Sequence, residues 1–128
     1  MSDYSLIYSD HVKIITDANF ESEVLGASVP VLVFFYEPMD GRCKIFAHAV
    51  GTVADEYGPG GENAGKMIFG MIKAQENPLM CEAYNVRGYP TVKCFINGKA
   101  RDYASGYLDF ELSAFCASLL RREMNNSW

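Results

Sequence analysis

The chain has 128 residues, 49% of them hydrophobic and 21% charged. That makes one domain of common size with enough apolar side chains for a packed core, and it excludes intrinsic disorder. Sixteen acidic against eleven basic residues leave a net charge of −5, and no basic cluster exceeds Arg121-Arg122, so the electrostatic footprint of a nucleic-acid binder is absent.

The longest apolar run, residues 29–36, contains Pro30 and is far shorter than the about 20 residues a bilayer crossing needs. The first ten residues carry Asp3 and Asp10 and no basic start of a secretory signal. A cytoplasmic protein with neither membrane nor nucleic acid as partner is expected.

In chain order, residues 12–15 read as a short strand. Thr16-Asp17 then offers an N-cap, and Phe20, Val24 and Leu25 form the apolar stripe of a helix closed by Gly26. Residues 29–36 are apolar on both faces, as in a central strand covered from both sides. Asp40 is a good N-cap. After it, Cys43, Phe46, Ala47, Val50, Val53, Ala54 and Tyr57 recur at steps of three and four and make one continuous helical face. Cys43 therefore belongs to a buried stripe.

Gly58-Pro59-Gly60-Gly61 and Gly65 mark a loop. Residues 66–74 form a strand, and Asn77-Pro78 opens a short helix that ends near Tyr84-Asn85. Residues 86–90 are a turn and 91–96 a strand, which Asn97-Gly98 joins to a partner at 100–104 as a hairpin. A last helix, from about Tyr107 to Arg122, carries Leu108, Leu112, Phe115, Cys116 and Leu119 on one face. The order β-α-β-α-β-α-β-β-α gives an α/β fold, a mixed central sheet flanked by helices on both faces. The first strands pair in parallel through crossovers, and the hairpin is antiparallel. The organisation expected is an N-terminal extension at 1–11, a single domain at 12–122 and a C-terminal tail at 123–128.

The four cysteines, Cys43, Cys81, Cys94 and Cys116, include no C-x-x-C, and with His11 and His48 they offer no metal-ligand spacing. No metal and no cofactor is expected. Cys94 alternates with Val92 and Ile96 on one strand face, and Cys116 lies on an apolar stripe, so both read as core thiols. The short helix around Cys81 fixes no face, which leaves that thiol a candidate for exposure. His48 reads as a surface histidine.

Several local motifs fall together in order. Val33-Phe34-Phe35-Tyr36 runs into Gly41-Arg42-Cys43-Lys44. Asn77-Pro78 is followed by Tyr84-Asn85-Val86-Arg87-Gly88-Tyr89-Pro90-Thr91, then by Phe95-Ile96-Asn97-Gly98 and by Gly106. This series, from about Val12 to Leu120, resembles the thioredoxin family, with its strand leading to a W-C-G-P-C-K turn, its cis-proline and its hairpin. The resemblance implies a thioredoxin-like fold and a cis bond before Pro90. It also implies that the turn, Met39-Asp40-Gly41-Arg42-Cys43-Lys44, holds Asp40 in place of the nucleophilic cysteine, Met39 in place of tryptophan and Arg42 in place of proline. Only the resolving cysteine survives, as Cys43. The buried aspartate that assists that thiol in the family corresponds to Phe34, and its lysine neighbour to Met71. Both have become apolar together, in keeping with the cost of burying one charge alone.

Two residues of the turn, Asp40 and Cys43, each carry two readings. Asp40 is an N-cap or a catalytic carboxylate, and its acceptor-only side chain cannot attack a disulfide as a thiolate does. Cys43 is activated by a helix N-terminus or silenced by burial. Two functions follow. One is a non-catalytic protein-interaction module that uses the groove of Met39, Asp40, Arg42, Tyr89 and Pro90, with Tyr36 as a further candidate; aromatic, methionine and arginine side chains suit a partner surface. The alternative is a monothiol redox protein of cell redox homeostasis. There Cys43, at the retained resolving position, would be the catalytic residue, or Cys81 would take that role, forming a mixed disulfide with glutathione or a protein partner.

Overall fold

A computed structural model describes residue 6 and residues 9–126, with the backbone alone given for 124–126. Five strands, β1 (Val12–Ile15), β2 (Val31–Tyr36), β3 (Ile68–Lys73), β4 (Thr91–Ile96) and β5 (Lys99–Asp102), form one sheet in the order β1-β3-β2-β4-β5. β3 lies parallel to both β1 and β2, whereas β4 is antiparallel to β2 and to β5. The helices are α1 (Gly41–Glu56), α2 (Pro78–Ala83) and α3 (Asp109–Asn126), which continues past the predicted end near Arg122. Among the described residues, no helix is long and apolar enough to cross a membrane.

The alternation of β2 divides the core in two. Leu32, Phe34 and Tyr36 point to one face, where α1 and α3 cover them with Cys43, Phe46, Val50, Leu112 and Cys116; Leu6 packs there too. Val31, Val33 and Phe35 point to the other, against Phe20 and Val24 and the partly buried Met80, Cys81 and Tyr84. All six β2 residues are buried, as a strand covered on both sides requires. The stripe predicted for α1 is buried in full, Cys43 through Tyr57. Gly70 lets β1 approach β3, because a Cβ there would sit 2.6 Å from Ile15 Cγ1. Asn97 and Gly98 both take positive φ, 52° and 77°, as a two-residue hairpin turn requires.

Two segments depart from the sequence reading. The first predicted helix is a capped turn that widens into one π-helical turn, Glu21–Leu25, closed by the Gly26 N–H on the Glu21 carbonyl at 2.8 Å. Thr16 closes the turn ahead of it, where its hydroxyl accepts from the Asn19 N–H and Asn19 Oδ1 accepts from the Thr16 N–H at 2.7 Å, while the π-helical turn itself has no side-chain cap. The wider turn rotates Leu25 off the buried stripe, and Leu25 is exposed. Leu108, predicted on the α3 face, precedes that helix and is also exposed.

Candidate active-site turn

The turn hangs from the end of β2. Glu37 fixes its entry: its carbonyl accepts from the Asp40 N–H at 3.1 Å, and its carboxylate accepts from the Met39 N–H at 2.9 Å. Asp40 is extended, φ −77° and ψ 128°, and Oδ1 accepts from the Cys43 N–H at 3.0 Å, the geometry of an N-cap. That hydrogen bond holds the Asp40 carboxyl below its usual range, with further help from the amide and charge of Arg42. The carboxylate is thus ionised at neutral pH and engaged with the helix.

Cys43 is 0% exposed. Burial drives its thiol up to about 11, and the charges of Asp40 and Glu37 push the same way, against a weaker favourable contact with the Glu37 backbone. The position in the first turn of α1 would favour a thiolate; here desolvation and two carboxylates outweigh it. Phe34, beside Met71 in the β2–β3 register, lies on the same face. Its ring meets Phe46 edge-on, centroids 5.0 Å apart, and tilts against Tyr36 at 5.8 Å. The two positions that the resemblance pairs as acid and base are therefore adjacent, buried and apolar.

Across the turn, the Tyr89–Pro90 peptide is cis. Arg42 Nη2 donates to the Tyr89 carbonyl at 2.6 Å and lies 3.6 Å from Asp40 Oδ2. The guanidinium so links the turn to the proline loop, a contact between residues 47 positions apart that no local motif announces. Met39 is 77% exposed, and Tyr89 and Pro90 are half-buried. Tyr36 does not line this surface: it is buried in the core with Phe34, because residues alternate along β2. Glu37, not foreseen from the sequence, organises the turn; its position between a strand end and Pro38 was the available signal.

The remaining thiols lie apart. Cys81 packs on the opposite sheet face from Cys43, and its Sγ–H points to the Ala74 carbonyl at 3.6 Å. Burial, then the charge of Asp17, raises it. Cys94 and Cys116 are buried and driven up to about 12, chiefly by desolvation. All four cysteines are free. Among the described residues, no three His, Cys, Asp or Glu side chains gather as metal ligands.

A sheet of this order with an N-capped helix springing from its central strand, facing a cis-proline loop, is the thioredoxin arrangement. The family model described as Thioredoxin matches residues 11–118. Thioredoxin of Acidithiobacillus ferridurans is 35% identical over 113 residues, covering 88% of this chain and 99% of the relative. Thioredoxin 1 of a Nostoc species is 35% identical over 92 residues, 72% of this chain and 80% of that one. The chloroplastic M-type thioredoxin of Pisum sativum is 32% identical over 97 residues, 76% of this chain and 53% of that one. The chain belongs to the thioredoxin family.

Proposed function

We propose that this protein is a thioredoxin-fold interaction module that does not carry out dithiol–disulfide exchange. One observation carries the reading: the nucleophile's place is taken by Asp40, committed to the Cys43 N–H, while Cys43 behind it is buried with its thiol held near 11. Exchange needs a thiolate to attack and a second thiol to release the mixed disulfide. Asp40 offers neither, and Cys43 is protonated at neutral pH. The turn and the proline loop then present Met39, Arg42, Tyr89 and Pro90 to a protein partner, with Arg42 clamping the two loops together. The four free thiols fit a reducing, cytoplasmic setting.

The test is insulin reduction followed by turbidity, with dithiothreitol as electron donor. The protein should not exceed dithiothreitol alone. Turnover that disappears in Cys43→Ser would replace this reading with the monothiol one.

A further inference from the structure

About one helix length from the turn, roughly 24 Å for the sixteen residues of α1, a cavity of about 850 Å³ opens between the loop that follows α1 and the C-terminal half of α3. That size lies within the range of small-molecule sites. Its walls are mainly apolar, with Pro30, Ala117 and Leu120 among them, and it carries Lys66, Arg121 and Glu123. Two of the cations of an acidic protein thus stand around one hollow against a single acid. Lys66 is steadied there by Asn63, whose Oδ1 accepts from Nζ at 3.2 Å.

The second observation is Tyr57. Its ring packs on Phe69, centroids 5.4 Å apart, and the residue is only 6% exposed. Its hydroxyl has no hydrogen-bond partner among the described residues, yet no buried side-chain oxygen is sealed without one. The hydroxyl is therefore not sealed from solvent, and Tyr57 forms part of the wall of this hollow. Burial keeps it protonated, with its titration pushed up to about 12, so it offers a hydrogen to an acceptor.

We propose that this cavity binds a small organic anion with an apolar body, its charged group between Arg121 and Lys66 and accepting from the Tyr57 hydroxyl. A smaller cavity of about 270 Å³, lined by His11, Lys13 and Met67, shares the Tyr57 wall and gives the alternative location.

Naphthalene-1-carboxylate is a suitable probe, titrated into the ¹⁵N-labelled full chain and followed by amide shifts. Saturable shifts are expected at residues 63–66, Asn97 and 117–121. Naphthalene-1-methanol, which has the same body without the charge, should bind at least about tenfold more weakly, as should the carboxylate to Arg121→Gln, since a hydrogen bond to a charged group is lost. Tyr57→Phe, which keeps the ring against Phe69, should cost about threefold. Arg121 is on the surface, so its variant keeps the fold. The proposal is overturned by the absence of saturable shifts at millimolar probe, by shifts centred on Met39 and Tyr89 or on His11 and Lys13, or by either variant binding as the parent does.

Discussion

Cys43 and Cys81 lie on opposite faces of one sheet, and both thiols are raised above their ordinary value by burial. Beyond that they differ. Cys81 sits in a short helix, half-buried, with its hydrogen directed at a carbonyl. Cys43 sits where a helix N-terminus should activate a thiol, yet it is the more deeply buried of the two and has two carboxylates nearby. The contrast teaches that position on a helix does not make a reactive cysteine. Exposure and the sign of the neighbouring charge decide it, and at Cys43 both oppose ionisation.

The largest effect expected comes from restoring what the turn lacks. Asp40→Cys creates a C-x-x-C with Cys43, and the new thiol, partly exposed at the helix N-terminus, should attack disulfides. Release should stay slow, because Cys43 must lose a proton in an apolar site that Phe34 cannot accept. Insulin reduction by Asp40→Cys should rise at least about tenfold when Phe34→Asp is added, and the double variant should lose more than about 3 kcal/mol of stability through the lost ring and the buried acid. Stopped assays and denaturant titration check both. If Asp40→Cys alone works as well as the double variant, the apolar pair Phe34–Met71 does not limit the site.

The next effect concerns pH. Unfolded thiols titrate near their ordinary 9, whereas Cys43 holds its proton to about 11 and Cys94 and Cys116 to about 12. Above 9 the unfolded chain binds fewer protons than the folded one, so stability falls as pH rises. Below 9 both states are protonated and nothing is lost. The decline should begin near pH 9 and steepen toward 11, at up to about 1.4 kcal/mol per pH unit for each thiol. Urea midpoints across that range measure it. Cys43→Ala should flatten the slope, and Cys81→Ala should change it less.

The smallest effect is the loss of the cap. Asp40→Ala frees the Cys43 N–H and should lower the melting temperature by about 4 °C. Asp40→Asn, which can still accept that hydrogen bond, should recover most of it. A catalytic carboxylate would not be rescued by the amide.

What was legible in the sequence divides along the range of the contacts. α1 could be read because seven apolar side chains repeat at helical steps and all of them are buried. The hairpin could be read because Asn97-Gly98 favours positive φ locally. Asp17 shows the opposite case. Beside Thr16 it reads as part of a cap for its own segment, yet its carboxylate accepts from the Leu79 and Met80 N–H groups, at 3.1 and 3.0 Å, and caps α2. The Arg42–Tyr89 link is likewise between distant residues. Burial of Cys43 was legible from its stripe. Burial of Tyr36, which was expected at the surface of the groove, depended on the alternation of β2 and the covering of both sheet faces.

The most direct measurement is the order in which the native thiols are alkylated. The protein would be treated with iodoacetamide at about pH 8, where only a thiolate reacts, and the modified positions mapped by mass spectrometry with and without denaturant. Cys81 should be labelled first, with Cys43, Cys94 and Cys116 labelled only after unfolding. Labelling of native Cys43 ahead of Cys81 would contradict the account, because it would show a reactive thiolate in the turn.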